Sequence, residues 1–318
     1  MLCLDYTLKS SKKQLKILTT TTYSSILQLD SRGNMLRLKE LRAKFNITQK
    51  DLAKRLQMSQ QAIAKWENGT AEPSVKNLRE LAVIFGISVD NLLCDSKTVK
   101  TTHFCSYGPK KNEDIEIDGF WGNLGVKIKG QKKSRWYPIT QKTYEYIYMA
   151  IQNENKWINI ETLNNKYLLI NKTNIKKFSL VEEACDAVPD DWDLQWDAYD
   201  GNCDVAYDCL YDYLCEDTEN IPERLLQGIK DVIKNNNLSD YDLEKSVCLL
   251  GVIDADGQEE YMFPNLWSQI QELFDWYEEL NEQNVSSIIV EADEGDFFFN
   301  SNEVAVIEAP INQMKNDK

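Results

Sequence analysis

The chain has 318 residues and a formal net charge of −15, with 36 basic and 51 acidic side chains. This length is sufficient for two or three domains with buried cores. No apolar run approaches the roughly 18 residues of a membrane-spanning helix, which excludes helical membrane proteins. The eight cysteines form no Cys-x-x-Cys pair and no secretory signal is recognisable, so we expect reduced thiols in a cytoplasmic protein.

The charge is divided unevenly along the chain. Residues 1–98 contain 16 Lys or Arg and 9 Asp or Glu, whereas residues 99–318 contain 20 and 42. The first part therefore carries +7 and the second −22. Such asymmetry is typical of a nucleic-acid-binding module joined to a region with another role.

Residues 1–34 are polar and show neither helical nor strand periodicity. We expect a flexible N-terminal arm, or a segment ahead of the natural start, because Met35 stands where the first helix begins. The arm contains Lys9, Lys12, Lys13 and Lys16. A basic arm that follows a nucleic-acid backbone is therefore the alternative.

Residues 35–95 predict a small all-α domain of five short helices. The first runs from Met35 to Phe45, the fourth opens at Pro73-Ser74 and stops at Gly86, and the last runs from Ser88 to Leu93. Five helices in so short a stretch are typical of a DNA-binding domain.

The second and third helices, between Thr48 and Gly69, carry the clearest functional signal. Thr48 and Asp51 predict a capping box for one helix, and Ser59 caps the next. In the helix that Ser59 caps, the inward positions are Ala62, Ile63 and Trp66. The outward positions are Gln60, Gln61, Ala64, Lys65 and Asn68. Because glutamine can pair with an adenine edge and lysine with guanine or phosphate, residues 59–68 are expected to read the major groove.

The stretch resembles the Cro/repressor (XRE-type) helix-turn-helix family, and SQQAIAKWENG is especially similar to the recognition helix of lambdoid phage repressors. The resemblance implies that Gln49 touches phosphate and braces Gln60. It also implies that Arg42 and Glu67 form a structural ion pair. The DNA-binding residues that it implies, together with the helix cap, are Gln49, Ser59, Gln60, Gln61, Lys65 and Asn68. The turn holds Gln57 where the family often has glycine.

Residues 96–118 are polar and predict a linker, in which the single histidine, His103, is expected to be a solvated side chain. Beyond them the hydrophobic period changes from 3.6 to 2, which predicts an α+β region. The order strand, strand, helix and three strands occurs at 119–182 and again at 245–310, followed by a tail at 311–318. We hypothesise two copies of a β-β-α-β-β-β module, each marginal in size alone.

An acidic helical segment, 183–244, separates the two predicted modules. Residues 178–220 contain 14 Asp or Glu and no Lys or Arg. Asp204, Asp208 and Asp212 fall on one helical face, opposite an apolar face. Four readings stay open for a neighbouring acid cluster: a solvated acidic surface, a partner-binding surface, docking against the protein's own basic DNA-binding face, and a site for a hard cation. The cluster consists of Asp190, Asp191, Asp193, Asp197, Asp200 and Asp204.

Nothing in the sequence predicts catalysis, a metal site or a cofactor. The loop from Asp254 has Glu259 where an EF-hand needs glycine, so a hairpin turn is expected. Cys203, Cys209 and Cys215 are six residues apart, point in three directions on a helix and are expected to be buried thiols. We therefore expect a protein that is not an enzyme.

The sequence predicts a multidomain, repressor-like transcriptional regulator that binds double-stranded DNA as a homodimer. One recognition helix contacts only about 4–6 base pairs, so useful affinity requires two copies. The C-terminal region is expected to supply dimer contacts or to bind a protein or small-molecule effector, without membrane association. The alternative is an antitoxin-like or defence-associated regulator whose acidic region binds a partner and whose helix-turn-helix is secondary.

Overall fold

The computed structural model describes residues 37–87, 89–93, 120–182, 204–275, 277–282 and 285–314. The predicted arm, the linker with His103, most of the acid cluster and Cys203 lie outside these residues. Within them, no helix combines the length and the apolar character that a bilayer crossing requires.

The described residues of the N-terminal domain form five helices: α1 (Leu38–Lys44), α2 (Gln49–Arg55), α3 (Gln60–Glu67), α4 (Val75–Phe85) and α5 (Val89–Leu93). The hydroxyl of Thr48 accepts from the Asp51 amide at 3.1 Å, and that of Ser59 accepts from the Ala62 amide at 3.2 Å. Gln57, in the turn between α2 and α3, has φ of +55°. A left-handed residue other than glycine costs roughly 1–2 kcal/mol, so packing of the two helices must hold this turn.

Three further helices extend the same hydrophobic core: α7 (Asp204–Leu214), α8 (Glu223–Asn236) and α9 (Asp240–Val247). Helix α4 is buried on two sides, because Val83 and Ile84 are enclosed as well as Leu81 and Phe85. On α4, Arg79 donates to the Asp212 carboxylate of α7 at 2.5 Å. The acidic segment is thus packed against the N-terminal domain through α4.

The described residues of the α+β region form ten strands and several helices. The strands are β1 (Phe120–Ile128), β2 (Arg135–Thr140), β3 (Trp157–Glu161), β4 (Lys166–Asn171), β5 (Ile175–Glu182), β6 (Leu250–Asp254), β7 (Glu259–Met262), β8 (Ser287–Ala292), β9 (Gly295–Asn300) and β10 (Val304–Pro310). The helices are α6 (Gln141–Gln152), a 3₁₀ turn (Lys172–Asn174), α10 (Trp267–Asp275), α11 (Tyr277–Glu282) and α12 (Ile311–Met314). The predicted α+β class is confirmed.

The described strands form three antiparallel sheets with orders β2-β1-β5, β3-β4-β10-β6-β7 and β8-β9. One face of the five-stranded sheet packs against β1, β2 and α6, and its other face packs against α10 and the β8–β9 hairpin. Strand β10 lies at the centre of this sheet and is buried along its whole length.

The structure corrects one predicted boundary. The second predicted module, 245–310, was expected to open with a strand, but α9 continues to Val247 and β6 begins only at Leu250. Ser239 and Asp242 form a capping box that starts α9, so the chain enters this position as a helix. A short apolar run does not distinguish a strand from the last turn of a helix by its period alone.

Candidate nucleic-acid interface

Helix α3 presents a polar face to solvent. Gln60, Gln61, Lys65 and Asn68 are exposed, whereas Ile63 and Trp66 of the same helix are buried. Ala62 and Ala64 are half-buried, so Ala62 is only partly on the core side where it was predicted. The exposed side chains lie about one turn apart, as is required for a helix that contacts successive base edges.

A network of side chains joins α1, α2 and α3 beneath this face. Arg42 of α1 donates to Glu67 of α3 at 2.8 Å, and its side chain is 19% exposed against 3% for Glu67. Arg42 also donates to the Ile47 carbonyl at 2.9 Å. Gln49 donates to Glu67 at 2.7 Å and accepts from Gln60 at 3.4 Å. The orientation of α3 and of its first glutamine is therefore tied to the two preceding helices.

The two helices that precede α3 carry exposed basic side chains. The exposed ones on α1 and α2 are Lys39, Lys44, Lys50, Lys54 and Arg55. The helix cap residue Ser59 is exposed as well, at the start of α3. In DNA-binding proteins, exposed basic side chains commonly contact phosphates, and such contacts position the protein on a duplex.

The acidic helix α7 does not cover this surface. Docking on the protein's own DNA-binding face was an alternative for the acid cluster, of which only Asp204 lies among the described residues, so it stays a prediction. In helix α7 itself, Asp212 pairs with Arg79 of α4, and the outward residues of α3 are exposed. The physical reason is that the apolar side of α7, with Val205, Cys209 and Leu210, is buried in the shared core.

The profile of the Helix-turn-helix family matches residues 38–92. A 56-residue stretch, 18% of this chain, is 41% identical to the uncharacterized HTH-type transcriptional regulator MJ0272 of Methanocaldococcus jannaschii and covers 85% of that protein. An uncharacterized HTH-type transcriptional regulator of Archaeoglobus fulgidus is 39% identical over 56 residues, 18% of this chain and 79% of its own length. The chain belongs to the helix-turn-helix family.

The predicted resemblance to the XRE-type helix-turn-helix family is thus confirmed. The HTH-type transcriptional activator BcrR of Enterococcus faecalis is 35% identical over 63 residues, 20% of this chain. That match spans 31% of the length of BcrR, so the likeness concerns the helix-turn-helix domain. No solved structure matches the chain.

The described residues contain no group of three or more His, Cys, Asp or Glu side chains placed to hold a metal ion. Cys209 is buried, and burial raises the pKa of its thiol to about 12, whereas Cys215 is half-buried. The Asp254 carboxylate accepts from the amides of Asp256 and Gln258 at 2.9 Å, and Gly257 has φ of +79°. These contacts make the predicted hairpin turn.

A second polar cluster, in the α+β region, was not identified from the sequence. Glu308 of β10 is 3% exposed and accepts from the Tyr137 hydroxyl at 2.5 Å and from Arg135 at 3.2 Å. Burial alone would raise the pKa of Glu308, but the charges of Arg135 and Lys166 outweigh it and hold the pKa below its ordinary value. The sequence did contain one indication of this cluster. Glu308 interrupts the apolar run of β10, and a buried carboxylate requires hydrogen-bond or ion-pair partners.

Proposed function

We propose that the chain is a sequence-specific DNA-binding transcriptional regulator that reads the major groove with α3, residues 59–68. The main observation in support is that Gln60, Gln61 and Lys65 are exposed on α3. The Arg42–Glu67–Gln49 network holds the orientation of this helix. Membership in the helix-turn-helix family and relatives named as transcriptional regulators support the same role.

In this proposal, Gln60, Gln61 and Lys65 contact base edges, and Gln49 and Asn68 contact the backbone. The glutamines have the bidentate geometry that recognises adenine. The exposed cations of α1 and α2 supply phosphate contacts. Replacement of one such cation by alanine should reduce the slope of log binding constant against log salt concentration by about one.

We further propose that two copies bind one pseudo-palindromic site. A single α3 reaches about 4–6 base pairs, which is too few to select a site in a genome. Sedimentation of the full-length chain with an operator duplex should give two chains per duplex, and one chain per duplex would contradict dimeric binding.

Repression is the proposed direction of regulation, because a protein on an operator excludes others from overlapping DNA. BcrR, which is similar to this chain in the helix-turn-helix domain, is named as an activator. A separate experiment therefore distinguishes repression from activation. A reporter placed behind the selected site should rise in expression when the protein is removed. A fall would show activation.

The α+β region is proposed to contain two related modules. In each, the first strand lies between the second and the last, in the orders β2-β1-β5 and β7-β6-β10. The hairpin that follows the helix differs between the two modules. The β3–β4 hairpin joins the five-stranded sheet through the pairing of β4 with β10, whereas β8 and β9 form a separate two-stranded sheet. Exchange of β1–β5 for a second copy of β6–β10 should preserve folding if the modules are related, and an unfolded chimaera would argue against it.

Gln61→Ala is expected to weaken binding to the best site by roughly 1–3 kcal/mol and to relax the preference at one base pair, as for the loss of a base contact. Fluorescence anisotropy on the best site and on its single-base variants would measure this.

The matched control is Gln227→Ala, which removes an exposed glutamine from α8, outside the N-terminal domain. It should leave every affinity unchanged. Equal weakening by Gln61→Ala on all sequences would contradict direct base contact by this residue.

A further inference from the structure

A cleft of about 760 Å³ lies where three parts of the molecule meet. One wall is the β1–β2 hairpin, the floor is the five-stranded sheet near β7 and β10, and the remaining wall is α9 with Tyr207 of α7. Small-molecule sites in proteins are commonly about 300–1,000 Å³. The cleft therefore has the size of a ligand site and lies far along the chain from α3.

The cleft is basic in an acidic region. Its lining includes five cations and three carboxylates, although residues 99–318 carry −22 overall. Glu259 and Glu308 both pair with Arg135, at 2.5 and 3.2 Å. Two of the three carboxylates are thus engaged with one cation, and the third, Asp242, accepts from the Ser239 amide in the capping box of α9.

Two lysines of the cleft have no such partner. Lys166 is buried at 9% exposure and donates to the carbonyl of Lys245. Among the described residues, neither Lys166 nor Lys245 has a carboxylate within ion-pair distance. The charge of Glu308 favours the ammonium of Lys166, but Glu308 is shared with Arg135, so an anion bound in the cleft would give this buried ammonium a second counter-charge.

Aromatic rings flank Lys245. The ammonium of Lys245 lies 4.6 Å from the Tyr241 ring centre and 4.7 Å from that of Tyr261. A side chain at Gly251 would meet the Tyr261 ring at 2.6 Å, so glycine there lets the ring lie flat across β6. The cleft therefore places an aromatic surface, the Tyr261 ring, beside Lys245.

We propose that this cleft binds a small organic anion, with its carboxylate or phosphate group at Lys166 and Lys245 and its planar part against Tyr261. Binding would transfer the anion from water to two cations and an aromatic surface. No covalent step is involved.

The position of the cleft connects it to the DNA-binding domain. Tyr207 of the cleft belongs to α7, and Asp212 of the same helix pairs with Arg79 of α4. A shift of α7 on binding would therefore reach the helix-turn-helix core. This regulatory consequence rests on the proposed function, whereas binding of the anion does not.

The test uses the full-length chain, isothermal titration and three compounds: 4-hydroxybenzoate, phenyl phosphate and the uncharged 4-hydroxybenzyl alcohol. At least one anion should bind with one molecule per chain, and the anion that binds identifies the acidic group. Lys245→Gln should weaken binding about tenfold or more, as for loss of a charge-assisted contact. Lys245→Gln keeps the backbone carbonyl that Lys166 requires.

Lys230→Gln, on the exposed side of α8, is the matched control and should bind the anion as the native chain does. Failure of both anions to bind at about 10 mM, near the weak limit of specific affinity, would overturn the proposal. Equal binding of the alcohol, or undiminished binding by Lys245→Gln, would overturn it as well. A separate titration of operator DNA with and without the anion tests the coupling: unchanged affinity would reject regulation through the site and leave the measured binding intact.

Discussion

Glu308→Gln is expected to lower the free energy of unfolding of the α+β region by about 3–5 kcal/mol, the cost of removing one partner from a buried ion pair. The substitution keeps the size of the side chain but removes the charge that faces Arg135, the Tyr137 hydroxyl and buried Lys166. Urea unfolding followed by circular dichroism would measure the loss.

Glu259→Gln is the matched control, because it breaks the other contact of Arg135 at a side chain that is 38% exposed. Its expected cost is below about 1 kcal/mol, as for surface ion pairs. A similar loss of unfolding free energy in both variants would contradict a larger contribution from buried Glu308 than from exposed Glu259.

The same cluster predicts a pH dependence. Because the pKa of Glu308 lies below its ordinary value of 4.5, its stabilisation is complete above about that pH and is lost as pH falls through the lower folded pKa. The difference in unfolding free energy between the native chain and Glu308→Gln should therefore shrink on acidification. A difference that stays constant down to pH 3, below the ordinary value for glutamate, would contradict the assignment.

Arg42→Ala is expected to destabilise the helix-turn-helix domain by about 3 kcal/mol, the lower end for a broken buried pair. Glu67 would remain buried without its cation, although Gln49 would still donate to it. The carbonyl of Ile47 would lose its donor as well. Thermal unfolding of the full-length chain would measure the change.

Lys44→Ala removes an exposed cation from the same helix and should shift stability by less than about 0.5 kcal/mol, as for most surface substitutions. Helices α7 to α9 share the core of the helix-turn-helix domain. Arg42→Ala should therefore lower the melting temperature of the domain and of these three helices together. An unchanged melting temperature would contradict a structural role for the pair.

The helix-turn-helix domain could be predicted closely because its signals are local. Caps at Thr48 and Ser59, glycine stops at Gly69 and Gly86 and a helical apolar period all act within a few residues. Each is present in the structure. The contact of Gln49 with Gln60 depended on a family resemblance rather than on period, because eleven residues separate the two.

The docking of the acidic helices on α4 could not be predicted in the same way. The run Leu81 to Phe85 is apolar on every side of the helix, which indicates burial on two faces but not the identity of the second partner. The charge pattern suggested only that Asp212 belonged to an acidic face. Its partner, Arg79, is 133 residues away in the chain.

The cleft escaped prediction for a related reason. Arg135, Lys166, Lys245 and Glu308 come from four separate elements, and none belongs to a motif with fixed spacing. Glu308 and Lys166 were visible as charges inside buried strands, a pattern that requires compensation. Which side chains provide that compensation is determined by the strand order, in which β10 lies between β4 and β6.

The most direct test of the central claim is selection of bound DNA from a random-sequence pool by the full-length chain. The account predicts enrichment of one pseudo-palindromic site, with half-sites centred about 10 base pairs or a multiple apart. It also predicts loss of that enrichment when Gln60, Gln61 and Lys65 are all replaced by alanine. A folded chain that enriches no sequence over scrambled competitor would contradict DNA reading by α3.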